Sequence, residues 1–289
     1  MQVVLNIICA ATLYLLISIS FFLIYYPIRF FHIAHAVIIT FGGYFVFLIN
    51  RLVVDLPISV FLAVAVATLI GMSCELLIYR QMRKRGMPAL TYLIASIGLY
   101  TVFQNSISIY FGDDAKIINT ANVIVGHELF GAYITSIQIV TILVSTILFI
   151  SVNLFLRFSV IGKSIRAVAN NSELADIYGI NSNKIILIAF GIGSALAAIA
   201  GILSAMDTNM TPTFGFNLLL YGVVAMIIGG VGSTKGLVFG SLLIATAQNL
   251  AAYYIDTKWM DAITYIILIL FLIGKPLGFS GQRLKKVEV

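Results

Sequence analysis

The stretch IILIAFGIGSALAAIAGILSAM, Ile185–Met206, is apolar throughout and long enough to cross a bilayer as a helix. Small residues recur in it at every fourth position, at Gly193, Ala197, Gly201 and Ala205. This spacing puts them on one helix face, and small side chains let helices approach closely in lipid, where no hydrophobic force drives association. The stretch therefore predicts a membrane helix that packs tightly against its neighbours.

The whole chain has the composition of a polytopic membrane protein. Of its 289 residues, 61% are hydrophobic and 10% are charged, and the mean hydropathy is +1.08. A soluble chain of this length could not bury so much apolar surface. We predict a single all-α membrane domain, residues 1–289, with about eight or nine transmembrane or re-entrant helices of roughly 20 residues each. The apolar segments lie near residues 3–25, 30–50, 57–79, 88–111, 134–156, 184–206, 216–230, 236–254 and 261–274.

Two glycine pairs interrupt these segments. Gly42-Gly43 falls within 30–50, and Gly229-Gly230, followed by Gly232, falls at the end of 216–230. Each of these segments is either a full span or a re-entrant, discontinuous one. Because interrupted helices occur at transport sites, we take these glycines as candidates for a hinge or for the lining of a pathway.

The basic residues predict the orientation in the membrane. The loop RQMRKRG, Arg80–Gly86, is expected in the cytoplasm because basic residues resist translocation. Alternation of the spans then places all but Arg51, Lys116 and Lys258 of the 17 Lys and Arg inside. The N-terminus is predicted outside and the C-terminus inside. This asymmetry accounts for the net charge of +6 without a nucleic-acid partner.

The longest polar loop, RFSVIGKSIRAVANNSELADIYGINSNK, spans Arg157–Lys184 on the predicted cytoplasmic side. Ser172 can cap a short helix, Glu173 suits its first turn, and Gly179 is a natural stop. The helix either docks on a soluble partner or lies on lipid head groups. Docking is favoured because the helix is short, weakly apolar and carries acids as well as bases. The candidate docking residues are Lys163, Arg166, Ser172, Glu173, Leu174, Ala175, Asp176, Ile177, Tyr178 and Gly179.

A polar stripe follows one face of the segment 88–111. Its members are Ser96, Tyr100, Gln104 and Ser108, with Thr101 and Asn105 beside them. Polar side chains in hydrocarbon are costly, so the stripe faces either protein or a wet cavity. The candidate pathway residues on it are Ser96, Tyr100, Gln104 and Asn105.

Three ionisable residues lie near the predicted inner boundary. His35, before the first glycine pair, is a candidate for the pathway or a gate, and equally for a structural role. His32 and His35 have a spacing that can bind a metal, but no Cys or acid stands near them, so no metal is predicted. We expect Glu75 to snorkel and pair locally with Arg80, in preference to relaying protons.

No catalytic constellation is evident, so the chain is not predicted to be an enzyme. The tripeptide Gly162-Lys163-Ser164 resembles the end of a phosphate-binding loop, but Arg157 stands where that motif needs its first glycine. The run GGVGSTKG has no strand before it and is not a dinucleotide fingerprint. ATP is therefore not expected to bind here.

Several motifs carry a family resemblance, in the right order along the chain. They are FHIAHAVIITFGGY from Phe31, LIYRQMRKRGMPALTYLIASIGLYTVFQN from Leu77, VIVGH from Val123, RAVANNSELADIYGIN from Arg166, GGVGSTKGLVFGSLLIATAQNL from Gly229 and LGFSG from Leu277. Together they resemble the permease subunits of branched-chain amino acid ABC importers, the LivH type.

The resemblance implies a multi-pass permease in the inner membrane of a prokaryote. Its partners would be a second homologous permease, two cytoplasmic ATPases that bind ATP and Mg, an extracytoplasmic solute-binding protein and membrane lipid. The polar loop 157–184 would be the coupling loop against an ATPase, and no cofactor is implied on this chain itself.

Departures from the family pattern leave the transported solute open. The family usually has Gly after the histidine of FHIAHAV, where this chain has Ala36, and it commonly has Pro where this chain has Lys235. Branched-chain or other small amino acids are the first expectation. The alternatives are urea, short amides, sugars or another small polar solute, or a self-sufficient secondary transporter or channel.

Overall fold

The computed structural model describes residues 1–52, 55–118, 126–129, 131–275 and 277–280, and they are almost entirely helical. The helices are α1 (Gln2–Ile28), α2 (His35–Leu52), α3 (Leu56–Cys74), α4 (Arg80–Lys84), α5 (Ala89–Phe111), α6 (Ser136–Phe158), α7 (Val160–Asn170), α8 (Ser172–Ile177), α9 (Ser182–Asp207), α10 (Phe214–Gly229), α11 (Thr234–Tyr254) and α12 (Met260–Gly274). A π-helical segment, Glu75–Tyr79, joins α3 to α4, and a 3-10 turn, Thr257–Trp259, precedes α12. An antiparallel hairpin, β1 (Gly126–Leu129) and β2 (Ala132–Thr135), precedes α6.

The prediction of an all-α polytopic membrane protein is confirmed. Among the described residues, 7 helical segments are long and apolar enough to cross a membrane. They are Gln2–Ile28, His35–Leu52, Leu56–Lys84, Ser136–Phe158, Ser182–Asp207, Thr234–Tyr254 and Thr257–Gly274. The helix α10 is apolar but only 16 residues long. The predicted span 88–111 forms α5, whose amide and hydroxyl side chains make it too polar for this set.

Of the two forms considered for segment 30–50, the structure shows the unbroken one, because α2 runs through Gly42 and Gly43 without a break. Their role in the fold is close packing against α9. A Cβ on Gly42 would overlap the backbone of Ala198, and one on Gly43 would lie 2.9 Å from the Cβ of Ala205. A glycine pair in a membrane helix therefore marks a helix contact here.

Internal packing divides the described chain into two compact units. The α9 unit comprises residues 20–118 and 152–219, and the α11 unit comprises residues 1–19, 126–151 and 220–280. The helices α1, α6 and α10 contribute residues to both units.

The core of the α9 unit is α9 packed against α2 and α3. The predicted small-residue face packs against α2 and also against α1: a Cβ on Gly201 would overlap the carbonyl oxygen of Ile39 in α2, and one on Gly193 would lie 2.9 Å from the carbonyl oxygen of Ser20 in α1. At the contact with α3, a Cβ on Gly71 of α3 would overlap the hydroxyl of Ser194 in α9. The prediction of a tightly packed helix at Ile185–Met206 is confirmed.

The α11 unit combines backbone contact with a buried polar chain. A Cβ on Gly240 of α11 would overlap the carbonyl oxygen of Ala225 in α10. Nearby, the Tyr14 hydroxyl donates to Gln248 Oε1 at 2.5 Å, and Gln248 Nε2 donates to the Thr264 hydroxyl at 2.8 Å. These two hydrogen bonds satisfy the side-chain amide of the fully buried Gln248, as a bilayer requires.

Close approach at Gly201 makes a stability prediction. Replacing Gly201 with Ala forces a methyl group into the α2 backbone, and overpacking of this kind costs about 1–3 kcal/mol. We expect Gly201→Ala to lower the melting temperature and the monodisperse yield in detergent. Gly98→Ala is the matched control, since among the described residues no atom outside the local backbone of its own helix lies within 4 Å of a Cβ built there. Equal melting of the two variants would contradict this account of the α9 packing.

Candidate functional site

The polar loop 157–184 folds into α7 and α8, and each helix has a side-chain cap. The Ser159 hydroxyl accepts from the Gly162 amide at 2.8 Å, before α7. The prediction that Ser172 caps α8 is wrong: Asn171 is the cap, and its Oδ1 accepts from the Leu174 amide at 3.0 Å. The extended backbone at Asn171 suits a cap, whereas Ser172 is already the first helical residue.

The end of α8 is fixed as firmly as its beginning. Gly179 adopts a left-handed backbone, with φ of 82°, and confirms the predicted stop. Its amide donates to the Asp176 carbonyl at 3.0 Å, and the Ile180 amide donates to the Ala175 carbonyl at 2.9 Å. This pair of bonds is a Schellman motif, which satisfies the last carbonyls of a helix.

The helix α8 is also bound to the first residue of α9. The Ser182 hydroxyl donates to the Ser172 carbonyl at 3.0 Å, and the Ser182 amide donates to Asp176 Oδ1 at 2.9 Å. Both ends of α8 are thus attached to α9, since Ser172 and Asp176 lie at opposite ends of the short helix. Asn181 caps α9 by accepting from the Lys184 amide at 3.0 Å.

The outer side of α8 carries large apolar side chains. Ile177 and Tyr178 are each 79% exposed and Leu174 is 49% exposed, while Ala175 is buried. Beside them Glu173 and Asp176 are exposed, as are Lys163 and Arg166 on α7. We call the exposed set Leu174, Ile177 and Tyr178 the α8 patch.

His32 and His35 lie in a buried polar cluster of the α9 unit. His32 Nδ1 is 3.0 Å from the Tyr79 hydroxyl, and the Ser96 hydroxyl accepts from the Ala34 amide at 2.9 Å. His35 Nε2 is 3.1 Å from the hydroxyl of Ser20 in α1. His32 lies between the first two spans, and burial holds its pKa well below the ordinary value, so the ring is neutral at pH 7.

Glu75 does not snorkel, and it does not pair with Arg80 as predicted. Its side chain is fully buried and forms an ion pair with Arg83. The same guanidinium group donates to Asn183 Oδ1 at 3.0 Å. The fold buries Glu75 beneath α4 and supplies the partner that a buried carboxylate requires.

The polar stripe of α5 divides between the interior and the exposed face. Ser96 is buried, and Tyr100, Gln104 and Ser108 are partly buried. On the outward side, Gly98, Thr101, Asn105 and Ser106 are exposed near the middle of the helix. The Asn105 amide nitrogen donates to the Thr101 carbonyl of its own helix at 2.7 Å.

Comparison with known proteins decides the family. The family of permease components of branched-chain amino acid transport systems matches residues 3–272. The chain belongs to this family. It is 30% identical over 296 aligned residues to the high-affinity branched-chain amino acid transport system permease protein LivH of Escherichia coli K12, covering 98% of this chain and 96% of LivH.

Two further relatives show how far along the chain the similarity extends. The branched-chain amino acid permease BraD of Pseudomonas aeruginosa is 29% identical over 98% of this chain and 96% of its own length. The xylose permease XylH of Haemophilus influenzae is 37% identical, but over only 38% of this chain and 31% of its own. No solved structure matches the chain. The predicted resemblance is confirmed, and the chain is a multi-pass transport permease, not an enzyme.

Two motifs that suggested this permease family meet in the α11 unit. The helix α10 ends at Gly229, and Gly230 turns the chain with φ of 93°. The Phe279 and Ser280 amides, from LGFSG, donate to the carbonyls of Ile228 and Gly229 at 2.9 and 3.2 Å. The break predicted at Gly229-Gly230 is therefore a helix end, and the C-terminal motif caps it. Of the motif VIVGH, residues 123–125 lie outside the described residues.

The candidate pathway and hinge residues of this permease fall in both units. Their transport roles stay predictions. In the α9 unit, His35, Gly42, Gly43 and Ser96 are buried, and Tyr100, Gln104 and Asn105 lie on α5. In the α11 unit, Gly229, Gly230 and Gly232 form the end of α10 and the turn before α11. Within the described ranges, no three His, Cys, Asp or Glu side chains cluster as metal ligands.

Sequence reasoning missed three residues whose polar contacts involve the polar loop 157–184 and its surroundings. They are Arg29, Tyr79 and Arg83. The two arginines were used only to orient the chain in the membrane, and Tyr79 was not singled out. A single arginine eight or more residues from its partner has no short-range spacing signal, so only the folded chain reveals its contacts.

The capping geometry makes a prediction that separates Asn171 from Ser172. Loss of an N-cap costs about 1 kcal/mol, so Asn171→Ala should speed amide exchange in α8 roughly fivefold. The matched change Ser172→Ala leaves the cap in place and should have little effect. Hydrogen exchange followed by mass spectrometry of the permease in nanodiscs measures both. Faster exchange in Ser172→Ala than in Asn171→Ala would show that the cap is assigned to the wrong residue.

Proposed function

We propose that this permease is a subunit of an ATP-driven importer that carries branched-chain or other small amino acids across the inner membrane of a prokaryote. It works with a second homologous permease, two cytoplasmic ATPase subunits that bind ATP and Mg, and an extracytoplasmic solute-binding protein. Relatives named as branched-chain amino acid permeases align over nearly the full chain, whereas the xylose relative aligns over 38% of it, which favours amino acids.

The α8 patch is the observation that carries the ATPase-binding part of the proposal. A six-residue helix is normally too short to persist in water, yet α8 is capped at both ends and bound to α9. It exposes Leu174, Ile177 and Tyr178 with acids on either side. Anionic lipid suits such a surface poorly, and a protein groove suits it well.

The orientation follows from the same assignment. With loop 157–184 in the cytoplasm, the basic residues Arg80, Arg83, Lys84 and Arg85 lie on the cytoplasmic side as well. The N-terminus is then outside and the C-terminus inside. This arrangement obeys the positive-inside rule and leaves the solute-binding protein the opposite face.

The outward face of α5 is our candidate for the water-filled pathway. Thr101, Asn105 and Ser106 are exposed near the middle of a membrane helix, where lipid offers no hydrogen-bond partners. A zwitterionic solute needs such donors and acceptors along its route. Gln104 and Tyr100 line the inner edge of this face, and Tyr100 packs on Phe216 with ring centroids 5.3 Å apart.

ATPase docking predicts a specific loss on changing the α8 patch. Ile177→Asp puts a charge into the apolar contact and should abolish co-purification with the ATPases and ATP-dependent leucine uptake in proteoliposomes. Val160→Asp is the matched control, because Val160 is also 79% exposed but begins α7, where an acid is favourable.

Uptake measurements also test the alternatives. Leucine uptake that persists without ATPases would establish a self-sufficient transporter. A preference of the complete complex for urea or xylose over leucine would overturn the choice of solute. Retained ATPase binding in Ile177→Asp, with weaker binding to anionic vesicles, would instead place α8 on lipid.

The pathway assignment predicts water access at Asn105. With Cys9 and Cys74 changed to Ala, Asn105→Cys should react with a membrane-impermeant charged thiosulfonate, and leucine should slow the reaction several-fold. Leu143→Cys is the control, since Leu143 is 56% exposed on the apolar helix α6 and is expected to face lipid. Equal resistance of both cysteines would contradict a wet face on α5.

A further inference from the structure

Arg29 has a strained, left-handed backbone, and the contact that its side chain makes gives a reason for the strain. Its φ is 54°, and among the described residues it alone has a positive φ without being glycine. The left-handed region is unfavourable for a residue with a Cβ, and residues held there tend to serve a function. Here the conformation ends α1 and directs the guanidinium group at the coupling loop.

The Arg29 side chain caps the C-terminus of α7. Its Nη2 donates to the Ala169 carbonyl at 2.6 Å. Ala169 lies in the last turn of α7, where carbonyls lack partners within the helix and the helix dipole is negative. A cation at this position both satisfies the carbonyl and holds α7 against the connection between α1 and α2.

Arg83 makes the corresponding contact at the other end of the loop. Its Nη2 bonds both to Glu75 and to Asn183 Oδ1, the latter at 3.0 Å. Asn183 is the second residue of α9, directly after Ser182, which binds both ends of α8. A displacement of α8 therefore reaches Arg83 through one short, hydrogen-bonded segment.

The π-helical segment connects the surroundings of the two arginines. Glu75 is the first residue of that segment and Tyr79 the last. The Tyr79 hydroxyl is 3.0 Å from Nδ1 of His32, three residues after Arg29. Insertions of π-helix within α-helices frequently occur at functional sites. The coupling loop, the π-helical segment and the α1–α2 connection thus form one closed set of polar contacts.

The ion pair between Glu75 and Arg83 has a second arrangement available. Neither Glu75 Oε2 nor Arg83 Nη1 has a hydrogen-bond partner among the described residues. The pair uses one of its two possible contacts, while Asn183 shares the bonded nitrogen. If Asn183 moves away, the guanidinium group can bind the carboxylate through both nitrogens, which is a stronger geometry. A two-state contact of this kind is what mechanical coupling requires.

We propose that Arg29 and Arg83 are positioning residues that transmit the movement of α8 to the π-helical segment and to the α1–α2 connection. The proposal rests on the proposed function, because an ATPase bound at α8 supplies the movement. Arg29 transmits through α7, and Arg83 transmits through Asn183. Loss of either contact separates ATP hydrolysis from transport without removing the docking helix.

The test uses one variant at each of the two contacts. Asn183→Ala removes the contact of Arg83 with α9 and keeps the buried ion pair, and Arg29→Gly removes the cap of α7 while relieving the left-handed strain. Asn249→Ala is the matched control, because in the part of the chain that the structure describes the Asn249 side chain donates to the Ala245 carbonyl of its own helix and to no other group. The full permease is reconstituted with its ATPases, its second permease and its solute-binding protein.

The measured quantity is radiolabelled leucine transported per ATP hydrolysed. Both variants should keep ATPase binding and basal hydrolysis and lower the ratio at least about tenfold, the effect expected from losing one hydrogen bond to a charged group. Asn183→Asp, which keeps an acceptor oxygen, and Arg29→Lys, which keeps a cation, should restore most of the ratio. A merely structural role would reduce transport and hydrolysis together, and the conservative variants would not recover the ratio.

Failure of the inference is distinct from failure of the proposed function. If the wild-type chain neither binds the ATPases nor transports leucine with ATP, the proposed function fails and the inference fails with it. If the wild type is coupled and Asn183→Ala and Arg29→Gly keep its leucine-to-ATP ratio, the inference alone is overturned.

Discussion

Close contact of helix backbones is the constraint on which the α9 unit depends. Lipid solvates an apolar side chain as well as protein does, so helices in a bilayer are held by packing and by polar contacts. Gly201 against Ile39, and Gly42 against Ala198, bring α9 and α2 to a distance at which one added methyl group does not fit. Because α9 directly continues the polar loop 157–184, its packing positions the end of that loop, where Ser182 binds α8.

Polar groups inside the bilayer add the second constraint, since water is not there to satisfy them. Small sets of polar contacts meet much of this requirement: His32 with Tyr79, Glu75 with Arg83, and Tyr14 with Gln248 and Thr264. These networks join helices that are far apart in sequence. Where polar side chains face outward instead, as Thr101 and Asn105 do on α5, the same rule points to water or a protein partner.

Sequence alone predicted the helices well, because long apolar runs leave few alternatives in a membrane protein. The small-residue face of α9 and the stop at Gly179 also follow from local rules. The errors arose where tertiary structure decides. At Gly42-Gly43 the sequence could not decide between a full span and a re-entrant segment, because the contact with the neighbouring α9 is not visible in it. Glu75 was assigned to Arg80, whereas the π-helical segment and Asn183 select Arg83.

The position of the α8 cap, at Asn171 instead of Ser172, decides how α8 is attached to α9. Asn171 and Ser172 are both good capping residues, and only the extended backbone at Asn171 decides between them. With the cap at Asn171, Ser172 lies inside the helix and its carbonyl is free to accept from Ser182. That bond attaches the start of α8 to α9. The helix is therefore hydrogen-bonded to α9, which packs against α2 and α3, and under the proposed ATPase docking a force on its exposed apolar side would pass into that packing.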